Sequence, residues 1–112
     1  MSAYGSGETP LVAVLGGGQL GLMLGLAGIP LGVRFRFLDP SPEAPARAVG
    51  ELVVGALGDP DALERTVDGA QVVTYEWEGV PADAARRLEA HGHRVYPSTR
   101  ALEVAQDRLS EK

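Results

Sequence analysis

Apolar and polar positions along this chain fall into short blocks that alternate between two periodicities. Residues 11–15 (LVAVL) are apolar at every position, as a strand covered on both faces should be. Three glycines follow at 16–18, and QLGLMLGLAGI (19–29) can run as a helix that ends near Pro30. VRFRFLD (33–39) alternates and is rich in β-formers, so it reads as a second strand. SPEAPARAVG (41–50) reads as a Pro/Ala-rich loop, and ELVVG (51–55) as a short third strand.

The second half carries clearer helix punctuation. Asp59 is placed to cap, Pro60 suits the first helical position, DALERTV fills two turns, and Gly69 can end them. QVVTYE (71–76) predicts a fourth strand, PADAARRLEAH (81–91) a helix stopped by Gly92, and HRVYP (93–97) a fifth strand. Ser98 can cap a last helix in which Leu102, Ala105 and Leu109 share a face. Strands alternating with helices of about 10 residues predict βαβ units. The expected fold is therefore α/β and Rossmann-like, with a mainly parallel sheet of about five strands and helices on both faces. Residues 1–10 read as a flexible leader and 11–97 as the domain. Residues 98–112, which reach Lys112 without a glycine or proline stop, read as a linker helix running on toward a further domain.

Composition narrows the class without naming a function. A chain of 112 residues is enough for one core, and a net charge of −5 gives no basic footprint for nucleic acid or an anionic membrane. With no cysteine, disulfides and thiolate chemistry are excluded, and a cytoplasmic location is the expectation. No charge occurs between Glu8 and Arg34, and Gly17, Gly21 and Gly25 have G-x-x-x-G spacing. A membrane span there is rejected because three successive glycines, Gln19 and Pro30 would break it. A buried strand, a turn and a buried helix account for the same run.

The glycines are the first candidate site. Gly16, Gly18 and Gly21 fit G-x-G-x-x-G between a strand and a helix, where backbone N–H groups at a positive helix end can meet a phosphate or another polar ligand. The plainer reading is a tight turn with close helix packing. Asp39, closing the second strand, stands near the position of a dinucleotide's ribose-binding acid, or else simply starts the Asp39-Pro40 turn. TYEWEGVP (74–81) weighs against a dinucleotide, because Glu76 and Glu78 would face its pyrophosphate across the switch-point crevice. Carboxylates there suit hydroxyls or an amine; Glu76 is the stronger candidate, and Glu78 fits a solvated strand end. His91 and His93 flank Gly92 and read as a surface turn rather than a metal site, Trp77 reads as a packing or lid residue rather than a stacking platform, and no nucleophile-elbow motif is present.

Four stretches in this order, LGGGQLGLML, LDPSPEAPA, VVTYEWEGVP and YPSTRALEVAQDRLSEK, resemble the amino-terminal domain of the N5-carboxyaminoimidazole ribonucleotide synthase family in the ATP-grasp superfamily. The resemblance covers about Leu11 to Lys112 and implies a pre-ATP-grasp domain, the first of three parts. It implies a ligase that uses MgATP and bicarbonate to carboxylate the exocyclic amine of 5-aminoimidazole ribonucleotide, through carboxyphosphate, in purine synthesis. Carried over residue by residue, it places Gly18, Gln19, Leu20 and Glu76 at the ribonucleotide and Arg108 at ATP. It also implies that ATP and Mg2+ are bound mainly by parts beyond Lys112, so this chain alone is expected to be inactive and to hold no catalytic residue or metal ligand. Dimerisation is common in the family, which makes a homodimer an expectation. Leu22 and Gly79 depart from the family's usual arginine and asparagine, so contacts made by those side chains are not carried over to this sequence. Two other readings stand beside this one: the NAD(P)-binding domain of a dehydrogenase, and a non-catalytic nucleotide-sensing module.

Overall fold

The structure, a computed structural model, describes residues 9–75 and 82–96. Five strands form one sheet: β1 (Leu11–Leu15), β2 (Arg34–Asp39), β3 (Glu51–Val54), β4 (Val72–Tyr75) and β5 (Val95–Tyr96). Their order is β3-β2-β1-β4-β5 and every pair is parallel. Helix α1 (Gln19–Gly28) connects β1 to β2, α2 (Pro60–Val67) connects β3 to β4, and α3 (Ala82–Ala90) lies between β4 and β5. This is the expected doubly covered parallel sheet: β1 matches its pattern, β2 and β4 begin one residue later, β3 ends one residue earlier and β5 begins two residues later than expected, while residues 76 and 97 lie outside the described residues. Residues 1–8 of the expected leader and the helix expected from Ser98 lie outside the described residues.

Central β1 shows why its sequence has no polar position. Ala13 and Leu15 pack with Leu38, Val73 and Tyr75 under α2 and α3, whereas Val14 packs with Phe35, Phe37 and Ala46 on the opposite face. Each residue of β1 therefore meets apolar neighbours whichever way it points. Helix α2 follows its punctuation closely: the Asp59 carboxylate accepts from the Ala62 N–H at 3.0 Å, Pro60 is the first residue, and Gly69 takes φ +79° beyond the end.

The alternation of β2 hides one long-range device. Arg36 points to the α2 side, where its Nη1 donates to the carbonyls of Arg65 (3.3 Å), Thr66 (3.2 Å) and Asp68 (2.7 Å). The guanidinium thus closes the C-terminal end of α2, where carbonyls lack helical partners and the dipole favours a cation. Its Nε donates to Glu51 Oε2 at 3.3 Å, tying β2 to β3 as well.

Helix α1 packs differently from its counterparts. Its buried residues are Gly21, Gly25 and Gly28, and no large side chain of the helix is fully buried. A Cβ at Gly21 would stand 3.2 Å from the Phe37 ring, one at Gly25 2.2 Å from Val49 Cγ2, and one at Gly28 2.4 Å from the Phe35 ring. The spacing noted in the sequence therefore serves close helix–sheet approach. SPEAPARAVG is more than a loop, because Pro45–Ala48 forms a 3-10 turn that packs Ala46 and Val49 beneath α1.

Two effects oppose each other in Gly25→Ala. Helix propensity favours alanine by about 1 kcal/mol. The 2.2 Å approach to Val49, which is held by its own packing, forces the helix outward, and overpacking costs typically ~1–3 kcal/mol. The clash wins: Gly25→Ala is expected to lower the unfolding free energy by roughly 1–2 kcal/mol in chemical denaturation. The exposed Leu26→Ala should stay within about 0.5 kcal/mol of the parent.

Candidate functional site

The topology reverses between β1 and β4, and the crevice beyond their carboxyl ends is where an open parallel sheet binds ligands. Leu15 pairs with Tyr75, so the chain leaves both strands at the same level. One wall is the glycine turn 16–18, and residues 76–81, with Glu76, Trp77 and Glu78, follow the other strand and lie outside the described residues. Arg108 lies outside them too.

The glycine turn is fixed from several directions. Gly16 takes φ +115°, a conformation that disfavours any side chain, and its N–H donates to Leu38 O at 2.7 Å. The Gly17 N–H donates to Asp39 Oδ2 at 2.9 Å, and Gly17 O accepts the Ala46 N–H at 2.8 Å. A Cβ on Gly17 would stand 3.2 Å from the Cβ atoms of both Asp39 and Ala44, so the turn is wedged between them. Gly18 is the N-cap of α1 in extended conformation without a side-chain cap, and its carbonyl accepts the Leu22 N–H at 3.0 Å. Gln19 and Leu20, both exposed, begin the helix at this rim. First-turn N–H groups have no carbonyl partner within a helix and sit at the positive end of its dipole, which suits phosphate or hydroxyl oxygens.

Asp39 resolves its two readings. Its Oδ1 accepts the Ser41 N–H at 2.9 Å while Oδ2 holds Gly17, and its backbone carbonyl accepts from Gly55 at 3.1 Å. Both carboxylate oxygens are therefore turned onto the protein's own backbone. A dinucleotide's ribose needs that acid for its hydroxyls, yet here it braces the loop. The flank toward β2 is further filled by buried Ala44 and Ala46. The Asx turn at Asp39-Pro40-Ser41 was legible in the sequence; the link to Gly17 was not, because it joins residues 22 apart.

The other candidates fall away from this rim. His91 is exposed and His93 half-buried at the α3–β5 junction, and no group of three or more His, Asp or Glu capable of holding a metal exists among the described residues. His93 lines an open hollow of about 470 Å³ with Glu64, Arg65, Val67, Asp68, Gly69 and Ala70. That hollow is at the amino ends of β4 and β5, on the edge opposite the glycine turn. Among the described residues no helix is long and apolar enough to cross a membrane.

Fold and rim together define a Rossmann-like parallel α/β domain whose glycine turn opens a helix at the carboxyl edge of the sheet, with the acid that closes β2 turned inward. Residues 10–106 match the ribonucleotide synthetase preATP-grasp domain, and the chain belongs to that family. It is 46% identical over 101 residues to N5-carboxyaminoimidazole ribonucleotide synthase of Pseudomonas aeruginosa, covering 90% of this chain and 28% of the relative. It is similar to the crystal structure of N5-carboxyaminoimidazole ribonucleotide synthetase from Thermus thermophilus, with 63% identity, a TM-score of 0.83, and coverage of 90% of this chain and 28% of that one. The Aspergillus clavatus N5-carboxyaminoimidazole synthase, solved in complex with ADP and 5-aminoimidazole ribonucleotide, matches with 31% identity and a TM-score of 0.73 over 85% of this chain and 26% of that one. This chain thus spans only about a quarter of the length of the relatives it matches.

Two outcomes follow from the rim. Asp39→Ala removes the acceptor from two backbone N–H groups, and charged acceptors contribute more than neutral ones. It should cost about 1–3 kcal/mol in denaturant unfolding, with Asp39→Asn intermediate because one acceptor oxygen remains.

At the end of β4, burial raises the Tyr75 phenol above its ordinary 10.0, and the Glu89 charge adds to the shift. A folded value raised above the unfolded one gives stability that is complete below pH 10 and is lost as pH climbs from there toward the folded value. Melting curves between about pH 8 and 11 should show a fall that begins near pH 10, and Tyr75→Phe should flatten it.

Proposed function

We propose that this chain is the substrate-orienting amino-terminal domain of an ATP-dependent ligase that carboxylates 5-aminoimidazole ribonucleotide with bicarbonate, giving N5-carboxyaminoimidazole ribonucleotide in purine biosynthesis. The observation that carries it is the braced glycine turn at the switch point of a domain of the ribonucleotide synthetase preATP-grasp family. Relatives that bear the synthase name, one solved with ADP and the ribonucleotide, support the substrate.

In this reading Gly18 and the Leu20 N–H hold polar oxygens of the ribonucleotide at the start of α1, and the Gln19 amide adds a side-chain donor and acceptor. Glu76 accepts the ribose hydroxyls or positions the amine. Holding that amine in line with activated bicarbonate supplies rate through orientation, because a well-placed intramolecular partner corresponds to a very high effective concentration. When bound, ATP and Mg2+ would supply the phosphoryl chemistry that activates bicarbonate, and Arg108 would be one of the residues that hold ATP. The remaining nucleotide and metal ligands belong to the part of the relatives that this chain does not span, so the chain alone orients substrate without turning it over. A soluble, cytoplasmic setting fits such an enzyme.

The dehydrogenase reading loses its support at Asp39, whose carboxylate serves the loop. The experiment is steady-state phosphate release by the complete protein with ATP, bicarbonate and 5-aminoimidazole ribonucleotide. Glu76→Ala should raise KM for the ribonucleotide about 10- to 100-fold and leave KM for ATP near its parent value. Unchanged kinetics toward the ribonucleotide would remove the role of Glu76. No ribonucleotide-dependent phosphate release from the parent protein would sink the whole proposal and favour a sensing module.

A further inference from the structure

The glycine turn holds one charge directly, the Asp39 carboxylate. Its Oδ2 accepts the Gly17 N–H at 2.9 Å, and its Cγ would stand 3.7 Å from a Cβ on Gly17. No charged residue occurs between Glu8 and Arg34, so neither the turn nor α1 supplies a cation to offset it. The neighbouring segment does not offset it either. There Arg47 donates to Pro42 O at 3.2 Å, and Glu43 adds a second negative charge at an exposed position. The ion pairs Arg36–Glu51 and Asp83–Arg86 involve neither Asp39 nor the turn.

In a dinucleotide fold the diphosphate lies on the glycine turn and the helix start, where backbone N–H groups meet its negative charge. Here the Gly17 N–H is already bonded to a negative oxygen of the protein itself. We infer that Asp39 is the specificity-determining residue of the glycine turn: its carboxylate places a fixed negative charge behind the rim, so that the rim receives uncharged oxygens of a ligand and refuses a diphosphate.

Geometry keeps that charge where it is. Oδ1 accepts the Ser41 N–H at 2.9 Å, and Gly17 is wedged between the Cβ atoms of Asp39 and Ala44, so the carboxylate cannot swing away without giving up two hydrogen bonds. A phosphate group reaching the first-turn N–H groups of α1 therefore approaches a like charge across the turn, and such charges repel over several ångströms in a partly desolvated cleft. A hydroxyl oxygen accepts from the same N–H groups without that repulsion. Discrimination then comes from a built-in repulsive element as well as from the attractive contacts. The inference rests on the reading of this rim as the ribonucleotide's, and it names the part received there: hydroxyl oxygens in place of the phosphate.

The test is a titration of the ¹⁵N-labelled 112-residue chain with sodium pyrophosphate at low ionic strength, read at the amides of Gly17, Gly18, Gln19 and Leu20. The parent is compared with Asp39→Asn, which keeps an acceptor oxygen and removes the charge, and with Asp39→Glu, which keeps the charge and disturbs the brace. Parent and Asp39→Glu should show no saturable shifts at the rim, whereas Asp39→Asn should bind pyrophosphate at least about tenfold more tightly. Raising salt to about 1 M should abolish that gain, because the screening length falls to about 3 Å. Saturable shifts at the rim of the parent overturn the inference without recourse to any variant. A gain shared by both variants overturns it as well, since loosening of the turn and not charge would be the cause. So does a gain that survives 1 M salt, or a folded Asp39→Asn that gains nothing. The ribonucleotide takes no part in this titration, so its outcome is separate from whether the proposed reaction is found.

Discussion

The close approach of a glycine-faced helix to the sheet is the constraint on which the rest of this domain depends. Gly25 and Gly28 bring α1 to within a methyl group's reach of Val49 and Phe35, with Gly21 close against Phe37, so the helix rides low over β2 and the 3-10 turn beside it. That height fixes where the helix begins, and its beginning is the rim at which Gln19 and Leu20 meet the crevice. It also determines what the helix cannot do, which is to insert its own leucines into the core. A single packing choice therefore shapes the site at one end and leaves an apolar outer face along the whole length.

A second, smaller interaction decides how the glycine turn should be read. The pattern G-x-G-x-x-G followed by an acid at the end of β2 is formally that of a dinucleotide fold, and the strand–turn–helix context is present. What separates the two uses is the direction of one carboxylate. Asp39 accepts from Gly17 and Ser41, and Ala44 and Ala46 close the space beside it. The fold is shared with nicotinamide-binding domains, whereas the site is not, as expected when function resides in residues grafted onto a common scaffold.

Local chemistry was legible in the sequence and long-range chemistry was not. The cap at Asp59, the proline at the first turn of α2, and the stops at Gly69 and Gly92 all depend on neighbours a few residues away, and each appears where its residues predict it. The both-faces-apolar β1 was equally readable, since a central strand has nowhere to place a polar side chain. By contrast, Arg36 looked like the polar half of an alternating strand, yet it closes a helix end about 30 residues on, and nothing in periodicity reveals that. The 41–50 segment looked structureless because its proline and alanine content carries no period, although its buried alanines wall the site. Glu76, the stronger carboxylate candidate, and Arg108 both lie outside the described residues.

The central claim is that the start of α1 receives a ribonucleotide. The most direct measurement is a titration of the ¹⁵N-labelled chain with 5-aminoimidazole ribonucleotide, followed through its backbone amide resonances. The account predicts saturable shifts concentrated at Gly17, Gly18, Gln19 and Leu20, with the amides around Asp68 and His93 on the opposite edge unmoved. Shifts centred on that opposite edge, or the same rim responding to NADH and not to the ribonucleotide, would contradict it.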